Sequence, residues 1–380
     1  MVSRRAILGS FAYAGLSRAA DQFDVAAIDR ARVLGEAKSF LARKPATPAA
    51  ARSPRSAGGP NDFFSEGDYW WPDPKNPDGP YIRKDGMTNP GNFVEHRNFL
   101  MRLSVEVPAL AAASKLTGER RYAEHAAAHL RAWFVTPATR MNPNLQYAQA
   151  IHGRSTGRGT GLIDTIHLVE VARSVPVIAA TGALSKAELA AVKEWFTEYT
   201  KWMTKSPNGI EERDAKNNHG TCWLMQVAAF AQFTGNGELL ADCAHRFRTI
   251  IVPGQIDPDG SLPLEASRTK PYSYCLFNLE ALATLCQIIP ELWSFETRDG
   301  RGVRKAIEYM FPFMADKKKW KLPQDVMYFE QWPMRQEALL FGGLAYGRND
   351  YLDVWKRLPA SSDVEEVVRN YFIRQPILWT

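Results

Sequence analysis

The chain has 380 residues, 45% hydrophobic and 23% charged, with 47 Lys and Arg against 41 Asp and Glu. That is enough apolar chain for a large buried core, which excludes intrinsic disorder, a coiled coil and a mini-protein. The net charge of +6 favours an anionic partner. Nucleic acid is not expected: the sequence carries no zinc-finger, RRM or homeodomain pattern, and its strongest basic run, Lys317-Lys318-Lys319, reads as a solvated face.

At the N-terminus, Ser3-Arg4-Arg5 precedes a short apolar stretch from Ala6 to Leu16 and then Arg18-Ala19-Ala20. Paired arginines ahead of a brief apolar segment and small residues form the pattern of a twin-arginine export signal. Residues 1–20 are therefore expected to be removed, leaving 21–380 as a single domain in the periplasm or outside the cell. There an acidic polysaccharide is the expected anionic partner. Past the leader, charged residues interrupt every apolar run before it reaches the roughly 20 residues of a membrane span, so no membrane association is expected. Cys222, Cys243, Cys275 and Cys286 lie in apolar, helix-like contexts without a CxxC pair, which predicts buried free thiols even though export permits disulfides.

Helical periodicity then dominates. A first helix is predicted over 23–42, followed by a Pro/Ala/Gly-rich connector at 44–60 and a long aromatic loop at 61–92. Loops of that length inside a compact fold are usually functional. Further helices are predicted over 93–116, 119–133, 162–182, 185–203, 221–234, 237–249, 274–289, 302–314, 334–345 and 364–371. In 185–203, Leu189, Val192, Phe196, Tyr199 and Met203 keep helical spacing, and Ser185 with Glu188 forms a capping box. Strand signals are confined to Tyr81-Ile82 and Leu262-Pro263-Leu264. The expected fold is all-α: antiparallel helix pairs closing into an α/α toroid, an incomplete barrel with a few short strands, in which the nearly all-apolar 162–182 belongs to the inner ring. A monomer without a cofactor is expected.

Three constellations carry possible chemistry. Asn217-Asn218-His219 at a helix start sets amide and imidazole donors beside outward-pointing backbone N–H groups, a cradle for a carboxylate. Glu265, Arg268, Tyr272 and Tyr274 follow a turn at 257–260; a cation near a phenol favours phenolate and lowers its pKa from about 10, which makes a tyrosine a usable base. In the loop, Tyr69-Trp70-Trp71-Pro72-Asp73-Pro74 offers flat platforms for sugar rings, with Arg83 and Lys84 to meet acidic groups. The Gly-rich stretch 153–160 lacks the Gly-Lys-Ser/Thr of a phosphate loop, so Arg154 and Arg158 are read as further carboxylate contacts. His125 and His129 stand four apart, with neither an HExxH motif nor a third ligand nearby in sequence; they read as a solvated helix face, and no metal is expected.

Asn217-Asn218-His219 with Trp223, Asp259-Gly260-Ser261 with Leu264-Glu265 and Arg268-Thr269, and Tyr274 with Phe277-Asn278-Leu279 together resemble the alginate lyase superfamily of α/α-toroid polysaccharide lyases. The loop from Tyr69 to Pro74 with Asp85-Gly86 and Asn89-Pro90 is similar to that family's N-terminal signature. The Arg-to-Tyr spacing differs from that of well-known members, which leaves Tyr274 and Tyr272 both open as the base. The resemblance implies β-elimination on a 4-linked uronate polysaccharide, alginate or glucuronan. Asn218, His219 and Arg268 would neutralise the carboxylate, with Asn217 in support, and Tyr274 would transfer the proton. Tyr272, Trp70, Trp71, Arg83, Arg154, Arg158 and Glu265 would contact substrate. A hydrolase using paired carboxylates and a non-catalytic glycan-binding protein are the competing readings.

Overall fold

The computed structural model describes residues 23–380, so the expected leader lies outside the described residues. α1 (Val25–Phe40) begins where Asp24 accepts the Ala27 N–H. α2 (Glu95–Thr117) ends at Gly118 with φ 72°, a conformation that favours glycine, and the chain turns straight into α3 (Arg120–Leu130). α4 (Leu168–Ala180) is followed by α5 (Lys186–Lys205), opened by the Ser185–Glu188 capping box. Next come α6 (Pro207–Arg213), α7 (Asn218–Thr234), α8 (Gly237–Arg246), α9 (Val252–Gln255) and α10 (Pro263–Ala266). The last set is α11 (Pro271–Ile288), α12 (Val303–Ala315), α13 (Glu337–Tyr346), α14 (Asn349–Arg357) and α15 (Glu365–Arg369). Side-chain caps open α1, α5, α6, α7 and α8, and a left-handed glycine closes α2, α7 and α13.

These helices form the α/α toroid. α2, α4, α7, α11 and α13 pack side by side in that order as an inner ring. α1 and α3 back onto α2, α5 and α8 onto α7, and α12 and α14 onto α13. The sequence dictates this sorting, because α7 and α11 are apolar on nearly every face and bury almost all their residues. Inside the ring runs the C-terminal segment 371–379, buried throughout. Glu170 of α4 accepts the backbone N–H groups of Arg374 and Gln375 and the indole N–H of Trp379. Phe372 packs against Phe277 of α11, and Trp379 against Phe341 of α13.

Several expectations shift at their edges. The helix expected over 162–182 is regular only from Leu168; Gly159–Thr165 forms a tighter 3-10 segment. Close approach explains this, since a Cβ on Gly161 would lie 2.5 Å from that of Ala148. α11 starts at Pro271, which fits the first helical position because its missing N–H is not needed there. Residues 262–264, expected as strand, lead instead into α10. β2 (Trp70–Trp71) and β3 (Ile82–Arg83) form the antiparallel pair signalled at Tyr81-Ile82. β1 (Phe64–Glu66) pairs in parallel with β4 (Tyr147–Ala150), a contact across distant sequence that no local pattern announces. α6 and α14 also escaped the periodic pattern because each is short. The four cysteines are free and buried. His125 and His129 are not a solvated face, since His129 is only 1% exposed. Among the described residues no helix is long and apolar enough to cross a membrane.

Candidate active site

The N-terminus of α7 is built from its own sequence. Asn217 caps the helix by accepting the His219 N–H at 3.3 Å. Asn218 donates its backbone N–H and its side-chain Nδ2 to the two carboxylate oxygens of Glu265, each at 2.6 Å. Glu265, expected as a substrate contact, is fully buried on α10 and does not line the cleft; it holds Asn218 in place instead. Burial pushes its carboxyl upward, opposed by Arg268 at 3.5 Å and by the Asn218 donors. His219 places Nδ1 2.5 Å from Glu212 on α6, which orients the ring and leaves Nε2 for the cleft. Glu212 sits in the run Glu211-Glu212-Arg213-Asp214, which in sequence looks like a solvated charge cluster and gave no signal of this role.

Across the cleft, Tyr274 occupies the first turn of α11. Its hydroxyl lies 2.8 Å from that of Tyr69 in the 61–92 loop, and the Arg268 guanidinium stacks on its ring, 3.8 Å from the centroid. Arg268 and the Tyr69 hydrogen bond both favour phenolate. Burial outweighs them, so the Tyr274 phenol stands above its ordinary value of 10.0 and not below it as the Arg-Tyr pairing predicted. Tyr69, which lies just before the tryptophan pair, is raised by burial as well. Tyr272 is not in the cleft. Residues two apart on a helix point to different faces, and Tyr272 is buried against Trp320 and Phe329 with its hydroxyl donating to the Phe313 carbonyl.

The remaining expected contacts divide. Trp70 and Arg83 line the cleft, the latter paired with Asp85. Trp71 does not; its indole donates to the Met87 carbonyl and Lys84 covers its ring, because adjacent strand residues face opposite sides. Arg154 also lies outside, donating to the Tyr81 carbonyl and stacking on Trp70 at 5.3 Å. Arg158 faces the cleft. Gln149 holds it through both its carbonyl and its side-chain oxygen, from a left-handed backbone conformation (φ 49°) that is costly for a residue with a side chain.

Beneath these lies an ion network that sequence reasoning missed. Asp68 accepts from Arg97 at 2.7 Å and Arg369 at 2.9 Å, and the two cations hold its carboxyl below the usual range. Two arginines share that carboxylate, and Arg158 has no carboxylate directly bound. The cleft, about 500 Å³, is thus arranged to receive negative charge. Among the described residues no group of three or more His, Cys, Asp or Glu is disposed to hold a metal ion.

The family model for alginate lyase matches residues 48–320. A search of curated protein sequences gave no match. The crystal structure of an alginate lyase from Bacteroides ovatus is similar at a TM-score of 0.81 and 30% identity, covering 93% of each chain. Alginate lyase A1-III from Sphingomonas species A1 is similar at a TM-score of 0.50 and 14% identity, covering 92% of this chain and 94% of that one. A variant of A1-III complexed with a tetrasaccharide gives 0.53 and 14%, covering 87% of each. At 14% identity the A1-III likeness speaks for the fold alone. The family match over most of the sequence, together with the full-length 30% relative, carries the assignment: this chain belongs to the alginate lyase family and is a polysaccharide lyase.

Proposed function

We propose that the chain cleaves a 4-linked uronic-acid polysaccharide, polymannuronate or glucuronan, by β-elimination in the cleft between α7 and α11. The observation that carries this reading is the convergence of Asn218, His219, Arg268 and Tyr274 on one cavity despite about fifty intervening residues. Removing the C5 proton becomes tractable when the adjacent carboxylate is neutralised and the developing enolate-like charge is stabilised. The free amide proton of Asn218, Nε2 of His219 and the Arg268 guanidinium are the donors for that carboxylate.

Tyr274, as phenolate, takes the proton from C5. The C4–O4 bond breaks as the C4–C5 double bond forms, and the phenol returns the proton to the leaving O4. In β-D-mannuronate and β-D-glucuronate, H5 and O4 lie on the same ring face, so one side chain serves both transfers. Guluronate, epimeric at C5, needs groups on opposite faces. The tetrasaccharide bound by the A1-III variant supports an oligosaccharide ligand on this fold.

The acids of the cleft do not suit the paired-carboxylate chemistry of a hydrolase. Asp68 is bound by two arginines, Asp164 accepts from the Ser65 hydroxyl and the Gln149 amide, Glu212 is bound by His219, and Glu211 accepts the Gly159 N–H. Incubation with polymannuronate, polyguluronate and glucuronan tests the proposal. Near-ultraviolet absorbance from an unsaturated uronate is expected on the first or the last. Reducing ends without that absorbance would mean hydrolysis, and turnover of polyguluronate alone would overturn the same-face mechanism.

A further inference from the structure

On α3, an outer helix that contributes nothing to the cleft, His125 and His129 direct their Nε2 atoms at each other across 3.4 Å. The main-chain carbonyl of Arg43, just past α1, lies 2.9 Å from Nε2 of His125 and also faces His129. We propose that these two imidazoles and this carbonyl bind a borderline divalent cation, Zn²⁺, Cu²⁺ or Ni²⁺. Two nitrogens each about 2.0–2.1 Å from a metal stand about 3.4 Å apart at a tetrahedral angle, and a nitrogen-to-oxygen edge near 2.9 Å corresponds to the roughly 90° angle of a five- or six-coordinate shell, so the set fits a distorted site. The two edges that meet at His125 Nε2 therefore already have the spacing of a coordination shell, and water completes the set from the solvent side, where His125 is only half-buried.

An independent observation comes from Glu106 of α2. Its Oε2 is buried without a hydrogen-bond partner and lies 3.5 Å from Nδ1 of His129. A metal on Nε2 requires the ring proton to sit on Nδ1, which is where that orphaned oxygen can accept it. Carboxylate, imidazole and metal then stand in the order by which outer carboxylates orient metal-bound histidines. Arg43 and Arg102 both reach Oε1 of Glu106, at 3.3 and 3.4 Å. These cations oppose a divalent ion and weaken its binding. Hard cations such as Mg²⁺ and Ca²⁺, which take oxygen ligands, are not expected to bind.

The test uses the full chain without an affinity tag, stripped with chelator and titrated with Zn²⁺ and Cu²⁺. Expected are one equivalent bound with a Kd of about 1–100 µM, copper EPR showing coupling to two nitrogens, and a melting temperature raised by about 2–5 °C at a hundredfold excess over Kd. His125→Ala, at the more exposed position, should weaken binding at least about tenfold and remove one nitrogen coupling; Glu106→Gln should weaken it about tenfold with both nitrogens kept. His245→Ala controls for surface histidines and should change nothing. Activity in the cleft should be equal with and without metal, which separates this proposal from the catalytic one. Absence of saturable binding below about 1 mM, or an affinity unchanged in His125→Ala, would falsify the site.

Discussion

At the scale of single residues, the helix N-terminus decides which tyrosine faces the cleft. Starting α11 at Pro271 sends Tyr272 into the core and Tyr274 into the cleft, although both carry the same phenol and lie two positions apart. Tyr274→Phe should lower kcat by about 10²–10⁴-fold with the melting temperature nearly unchanged, measured on the preferred polymer. Tyr272→Phe should instead cost about 1 kcal/mol of stability through the lost bond to Phe313 and leave kcat within about twofold. If the two effects came out reversed, Tyr272 would be the base. The pH profile supplies a second check. Burial holds the Tyr274 phenol above 10.0, so the phenolate fraction in the free protein grows about tenfold per pH unit below that point. On this basis kcat/KM should climb from pH 7 to 9.5; a plateau across that range would point to another base. The sequence identified this tyrosine as one of two, and it identified His219 and Asn218. It did not reveal Glu212, because a carboxylate seven residues before His219 looks no different from a surface acid until α6 folds back against α7.

At the scale of elements, the 61–92 loop brings Tyr69 to Tyr274, and a few contacts pin it. Asp85 accepts from Thr269, Thr88 donates to Glu366, and Glu366 pairs in turn with the buried Lys270. Gly86, at φ 75°, lets the chain close against residue 269; a Cβ there would meet the Thr269 hydroxyl at 2.7 Å. Residues 269 and 270 thus anchor the loop immediately before the helix that carries Tyr274, about one turn from that residue. Replacing Asp85 with Ala and Thr88 with Val together should raise KM and lower kcat by about tenfold or more, because small misplacements of positioning groups are costly. The melting temperature should move by only about 2 °C. Unchanged kinetics would mean that the loop is held in other ways. Local sequence marked this loop as functional by its length and aromatic content, yet its anchors lie some two to three hundred residues away and could not be read from it.

At the scale of the whole molecule, the ring closes around buried carboxylates. Glu280 of α11 accepts the N–H groups of Glu337 and Ala338 at the start of α13, joining two inner helices. Burial pushes its carboxyl up to about 8, from 4.5, despite those donors. A raised folded-state value means that the folded protein holds a proton the unfolded chain releases. The contribution to stability is full below about 4.5 and is lost as the pH rises through about 8. The melting temperature should therefore fall between pH 6 and 9. Glu280→Gln should melt lower at pH 6, for want of a second acceptor oxygen, and fall less steeply, so that the gap narrows by pH 9. Parallel pH dependence in the two proteins would assign the loss to other groups. The expected leader carries its own prediction: if residues 1–20 are an export signal, residues 1–25 fused to a reporter should direct it across the inner membrane, and Lys-Lys in place of Arg4-Arg5 should stop it.

The sequence by itself determined the helical architecture, since caps, turn glycines and apolar spacing act over a few residues and write α5, the end of α2 and the start of α7 directly into the chain. It also determined the amide, imidazole, guanidinium and phenol groups proposed to meet a carboxylate. Only the tertiary structure decided which copies of those types share the cleft. It admitted Trp70 but not Trp71, Arg158 but not Arg154, Tyr274 but not Tyr272, and it turned Glu265 from a contact into a support for Asn218. It also brought in Tyr69, Glu212 and the Asp68–Arg97–Arg369 network from parts of the chain with no common motif. The physical reason is that facing and burial are set by the packing of distant helices, and burial was strong enough to reverse the sign expected for Tyr274 from its arginine alone.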